Sequence, residues 1–303
     1  MHWGQIKSIL ILSFFILDVY LFAQFLEKKE QADIGVLEQQ LSTVEEQLQD
    51  DSITFSDLPE ETHEETFISV EQQRFSNQDL KRDKPKVQQE PHIIGGTMIV
   101  SKLKDSEKIK NVTSDNALDV FNDAVYYADE YDYWGWNETY NVVLFFQNKL
   151  DRPIYFNQNG LVMAILNDKD EIVSYVQTML GEEESLADKR QLIEPLTAIE
   201  KVYENGELYP NDDITKVNIG FHTRVPFESG VQVFAPTWKV NVNDEKDYFV
   251  NAIEGFMFST EEEEFIEEVI KHIIRKSEAS KEREDAVDDI IKDLEDRLQR
   301  ASE

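Results

Sequence analysis

RPIYFNQNGLVMAILNDKDEIVSYVQT, residues 152–178, is the stretch whose reading decides the fold. Arg152-Pro153 turns into the apolar run Ile154-Tyr155-Phe156. Asn159-Gly160 offers the best two-residue hairpin signal in the chain, because both residue types tolerate the positive φ of a tight turn. Leu161 to Leu166 then reads as a strand, Asn167 to Asp170 as a turn, and Glu171 to Thr178 as the returning strand. Short β-type runs separated by turn residues predict an antiparallel meander.

Working outward, Tyr131 to Trp136 and Tyr140 to Phe146 are aromatic and β-branched and extend the same β region toward the N-terminus. Before them, Ser114 or Asp115 could cap a helix reaching about Ala128, with Leu118, Phe121, Ala124 and Val125 on its inner face. Gly95-Gly96 opens an apolar strand, Thr97 to Leu103. The polar, proline-punctuated run from Gln72 to Pro91 reads as an exposed loop. Ile53 to Phe55 and Thr66 to Val70 read as short strands.

On the C-terminal side, Ser185 to Tyr203 predicts a helix that Pro195 bends and Asn205-Gly206 ends. Ile214 to Val225, Val231 to Val242 and Tyr248 to Ile253 predict three strands, the last two joined by a hairpin at Asn243 to Lys246. From Ser259 the composition becomes polar and acidic. Apolar stripes at Phe265, Ile266, Val269, Ile270, Ile273 and Ile274, and at Val287, Ile290, Ile291, Leu294 and Leu298, predict one or two exposed amphipathic helices. Such a tail could grip a partner, oligomerise or lie partly disordered. The body as a whole reads as α+β, antiparallel sheets with packed helices.

The 303-residue chain carries a formal net charge of −32, which argues against binding nucleic acid or docking on anionic headgroups through a basic patch. It has no cysteine, which removes disulfides, thiolate catalysis and cysteine-based metal or iron–sulfur sites.

Near the N-terminus, Ile9 to Leu26 (ILILSFFILDVYLFAQFL) is long enough to cross a bilayer as a helix, which takes roughly 17–25 apolar residues. Its Leu, Ile, Phe and Val residues favour insertion by roughly 4–7 kcal/mol, against about 2.5–3.5 kcal/mol for Asp18. The run exceeds the apolar core of a signal peptide, and Leu21 stands where cleavage at Ala23 would want a small residue, so an uncleaved anchor over 1–27 is expected. Lys7 before the span and Lys28 and Lys29 after it leave its orientation open. Asp18 is a functional candidate as an ionisable group within an apolar span, or else is protonated or snorkels at modest cost. Beyond the span, Ile34, Leu37, Leu41, Val44 and Leu48 form a two-heptad seam, packed on its own domain or against a partner helix. The candidate interaction residues are Ser13, Phe14, Asp18, Phe22, Leu37 and Leu41.

The search for chemistry finds little. The five histidines are scattered, with no H-E-x-x-H pair, and there is no P-loop, no G-x-S-x-G elbow and no G-x-G-x-x-G. Asp168 to Glu171 lacks the central glycine and terminal glutamate of a calcium loop, and a hairpin turn explains it better. Carboxylates are so abundant that a pair of glycosidase type carries no information. No catalytic, metal-binding or cofactor-binding residue is assigned, and no cofactor is implied.

Five stretches together resemble one family. They are MHWGQIKSILILSFFILDVYLF (1–22), LEQQLSTVEEQLQDDSITFSDLP (37–59), RPIYFNQNGLVMAILNDKDEIVSYVQTML (152–180), KRQLIEPLTAIEKVYENGEL (189–208) and FAPTWKVNVNDEKDYFVNAIEG (234–255). In this order they resemble the YycI (WalI) family, membrane-anchored accessory proteins of the WalK–WalR cell-wall two-component system. The resemblance runs from Met1 to about Phe258. It implies a single transmembrane helix with a cytoplasmic N-terminus and an extracytoplasmic α+β body over 28–258, within which the sequence leaves a sub-boundary near 105 open. That body would be similar to YycH and related to PepSY-type modules. The acidic tail, 259–303, is not covered. The resemblance further implies a non-enzymatic regulator that acts with a YycH-like partner on the sensor kinase WalK; the sequence leaves a homo- or hetero-dimer open. The alternatives are a PepSY-like protease-inhibitor or chaperone module and, on carboxylate abundance alone, a surface hydrolase.

Overall fold

The strands of the 152–178 region lie at the centre of an antiparallel sheet, and the rest of the body is built on its two faces. The computed structural model describes residues 7, 14–15, 17–22, 44–55, 58–59, 64–82, 85–108, 121–186, 188–223, 230–258, 260–280 and 284–302. They divide into two units, Met1–Asp50 and Asp51–Glu303.

In the first unit the described elements are helical residues at 14–15 and 17–22 and helix α1, Val44–Asp50. Among the described residues no helix is long and apolar enough to cross a membrane. This corrects the transmembrane helix expected over Ile9–Leu26.

The second unit opens with strands β1 (Thr54–Phe55), β2 (Glu64–Glu65) and β3 (Ile68–Gln72) and the short helix α2 (Asp79–Arg82). Strands β4 (Gln89–Ile94) and β5 (Met98–Lys108) follow, then a helical turn at 121–124. Next come β6 (Tyr131–Asn137), β7 (Val142–Lys149), β8 (Arg152–Pro153), β9 (Leu161–Leu166) and β10 (Glu171–Thr178). Strands β11 (Leu180–Ser185) and β12 (Arg190–Gln191) precede helix α3 (Pro195–Glu204). Strands β13 (Asp213–His222), β14 (Val231–Val242), β15 (Lys246–Asn251) and β16 (Met257–Phe258) lead to helices α4 (Glu262–Ala279) and α5 (Asp285–Ala301).

The first sheet runs β4-β5-β10-β9-β7-β6, with β8 also paired to β7, and every pairing is antiparallel. Its central strands are apolar on both faces, as expected of strands covered on both sides. Alternate side chains go to opposite cores. Val142, Leu144, Phe146, Leu161, Met163 and Ile165 join one cluster, and Val143, Phe145, Val162, Ala164 and Leu166 join the other. Phe121, Ala124 and Val125 cover the second face, with Phe121 stacked on Phe145 at 3.7 Å.

Helices α4 and α5 cover the first face through Phe265, Ile266, Val269, Ile270 and Ile273 and through Val287, Ile290, Ile291 and Leu294. The C-terminal helices expected to be exposed are therefore half of a core. Their charged faces are solvated, while their apolar stripes share this sheet face with Tyr155, Phe156 and Phe249.

The second sheet runs β1-β13-β14-β15-β16, with β1 parallel to β13. Strand β3 lies along the first part of β14, pairing Val231–Phe234 with Ile68–Glu71, and β11 pairs with the other edge of β3. Helix α3 packs on β14 and β15, where the fully buried Trp238 donates from Nε1 to the Ile193 carbonyl at 3.0 Å.

Three local expectations change. Ser185 to Tyr203 is not one helix: β11 and β12 occupy its start, and α3 begins at Pro195. A proline is harmless there, because the first turn of a helix does not use its N–H. The polar run before Pro91 contains α2 and the edge strand β4, and an edge position tolerates a residue without an N–H donor.

The tight hairpin turn lies at Leu150-Asp151, with φ of 52° and 58°, rather than at Asn159-Gly160. Asn157 instead turns the chain by accepting from the Asn159 N–H at 2.9 Å. Gly160 is needed for space, since a Cβ there would stand 2.9 Å from Leu180 Cδ1 and 3.2 Å from Gln147 Oε1.

The two sheets meet where Ile154 bridges to Phe221 and the Tyr155 N–H donates to the Phe221 carbonyl at 2.8 Å. Ile68, Val70, Ile154, Leu180, Phe221 and Phe234 fill this junction.

Candidate functional site

A groove of about 950 Å³ lies between the second sheet and α4. One wall is β14, whose two-residue period puts Val233, Ala235 and Thr237 on the same face. The turn joining β15 to β16 adds Glu254 and Phe256, and Phe67 lies alongside. The opposite wall is α4, where Glu264, Glu268, Lys271 and Arg275 recur at three- and four-residue spacing and so share one helical face, with Glu261 just before its first turn. Phe156 and Phe265 lie deeper, edge to face with ring centroids 5.2 Å apart.

His222, at the end of β13, stacks on Phe258 with centroids 4.1 Å apart. Burial lowers its imidazole from 6.5 to about 4, so the ring is neutral at physiological pH. The unfolded chain takes up a proton there near pH 6.5, whereas the folded chain does so only near 4. Stability from this group is therefore complete above pH 6.5 and is lost as pH falls toward 4. His222→Phe is expected to lose less stability than the parent between pH 7.5 and pH 5. Urea midpoints at the two pH values measure this, and equal losses would show that the ring is not held neutral.

A second cavity of about 430 Å³ lies beside α5 and contains Arg297 and Arg300. Four of the five N–H donors of Arg297 are already committed. Its Nη1 donates to the Tyr140 and Asn141 carbonyls at 2.7 and 3.1 Å, its Nη2 to the Leu166 carbonyl at 2.7 Å, and its Nε to Asp293 at 2.8 Å. The guanidinium clamps α5 onto the ends of β7 and β9 and keeps a single Nη2–H beyond these four bonds.

Among the described residues no group of three or more His, Asp or Glu could hold a metal ion. The groove pairs apolar walls with a charged rim, an arrangement suited to binding.

Of the residues selected from sequence, Phe14, Asp18 and Phe22 are exposed helical positions of the first unit. Ser13, Leu37 and Leu41 lie outside the described residues. Phe14, Asp18 and Phe22 do not line the groove. The residues that do line it, such as Val233, Phe256 and His222, carried no sequence signal beyond the alternation of β14, because strand, turn and helix converge only in the folded chain.

Residues 31–253 match the family described as YycI protein. The chain belongs to the YycI family. This is the family of the WalK/WalR accessory regulator, a family of regulatory accessory proteins not known as enzymes. The YycI match takes in β1 to β15 and stops short of α4, so one wall of the groove lies beyond it. No curated protein matches the chain. Among solved structures, the chain is similar to an uncharacterized protein from Eubacterium rectale ATCC 33656. Identity is 10%, with 70% of this chain and 92% of that chain covered and a TM-score of 0.41.

Proposed function

We propose that the protein is a non-enzymatic regulator that adjusts the sensor kinase WalK through protein contacts, in company with a YycH-like accessory protein. The observation that carries this reading is membership of the YycI family across residues 31–253. The groove supports it as a binding surface, with apolar side chains open to solvent and carboxylates around them. Exposure of Phe14 and Phe22, at 57% and 62%, supports the N-terminal residues as further contacts, together with Ser13, Asp18, Leu37 and Leu41. A regulator of this kind must bind two kinase states unequally, since equal affinity shifts no population.

Deletion of the chain is expected to change WalR-dependent reporter output, and the tagged full chain is expected to cross-link to the kinase or its YycH-like partner. Unchanged output together with the absence of either cross-link would overturn the reading.

A further inference from the structure

The carboxylates around the start of α4 fall into two groups. Glu262 accepts hydrogen bonds from Trp134 Nε1 at 2.9 Å and from Asn137 Nδ2 at 3.0 Å, and Glu263 accepts one from Thr139 Oγ1 at 2.8 Å. Both are thereby committed to β6 and the turn after it. Glu261 and Glu264 line the groove instead, with Glu254 from the facing turn. All three are exposed, and their carboxylates have no ion-pair or hydrogen-bond partner among the described residues. Between them, Phe256 is 62% and Val233 46% exposed. Open apolar side chains rimmed by polar ones mark an interaction surface, and unpaired charge beside them selects the partner.

We infer that this groove docks a segment of a partner protein in which apolar side chains are interleaved with lysine or arginine. The inference rests on the regulatory reading above for the kind of partner, and on the groove for its chemistry. The apolar side chains cover Phe256 and Val233, and the cations neutralise Glu254, Glu261 and Glu264. A second copy of the chain is a poor occupant, because a net charge of −32 sets like charge against the rim.

The test uses the full chain and a fluorescent peptide alternating leucine and lysine, with leucine–glutamate and serine–lysine counterparts, at about 150 mM salt to screen distant charges. The leucine–lysine peptide is expected to bind at least about tenfold more tightly than either counterpart, as read by anisotropy. Glu261→Lys with Glu264→Lys, and separately Val233→Ser with Phe256→Ser, are each expected to weaken it by about tenfold or more. Asp132→Lys with Glu245→Lys reverses as much charge at exposed positions outside the groove and is expected to leave binding unchanged. Equal weakening by this control pair would assign the attraction to overall charge and overturn the inference. So would binding indifferent to the groove variants, or parent self-association that Phe256→Ser abolishes. Failure here with reporter output still dependent on the chain removes the groove alone, whereas unchanged output on deletion removes the regulatory reading.

Discussion

Gly220→Ala is expected to lower the stability of the second unit by about 3 kcal/mol, since forcing atoms into a filled core costs about 1–3 kcal/mol and more when backbone must move. A Cβ at this position of β13 would stand 2.4 Å from Tyr155 Cε2 and 2.6 Å from the Pro153 carbonyl oxygen. The obstruction is therefore partly backbone, and the Tyr155 ring itself is fully buried. The neighbouring Phe221 carries the bridge to Ile154 that joins the two sheets, so relief of the clash must loosen that junction. Gly135→Ala is the control, because a Cβ there meets nothing within 4 Å. Urea unfolding of the two variants should separate them clearly. Equal midpoints would mean that the sheets can part locally without cost.

Arg297→Met is expected to cost about 2–5 kcal/mol. The substitution keeps an unbranched stem but removes the guanidinium and with it every donor. The Tyr140 and Leu166 carbonyls, both buried where they meet the guanidinium, then lose it as a partner, at about 1–3 kcal/mol for each left unpaired. Asp293→Asn should cost far less, about 0–1 kcal/mol, because Asp293 is 41% exposed and water can replace it. Amide exchange in α5 is the local readout. Protection lost throughout that helix in Arg297→Met, and retained in Asp293→Asn, is the expected pattern. Retained protection in both variants would show that apolar packing alone docks the helix.

What could be read in advance follows from how local each signal is. The meander from β9 to β10, the pair β6–β7 and the hairpin between β14 and β15 are written in alternation and turn residues a few positions apart. They appear close to where they were expected. Strand β11 is the opposite case. Its sequence, LGEEES, has poor β propensity, and pairing with β3, more than a hundred residues earlier, makes it a strand. The α4 and α5 stripes correctly marked a face to be buried, but charge on their other sides suggested exposure, and nothing local names the sheet that covers them. Hydropathy over Ile9 to Leu26 likewise favoured a spanning helix, whereas among the described residues no helix is long and apolar enough to cross a membrane. The groove was illegible for the same reason as β11, since Val233, Phe256 and Glu264 become neighbours only through tertiary pairing.

The C-terminal position of α4 and α5 also has a consequence during synthesis. Residues 262–301 complete the core on one face of the first sheet, whose strands are all made earlier. At about 5–20 residues per second, these 40 residues take about 2–8 s to leave the ribosome. Through that interval Val142, Leu144, Phe146, Met163 and Ile165 present a continuous apolar face with its natural cover still missing. The nascent chain is then open to association with its neighbours, and synthesis of α4 and α5 ends that exposure.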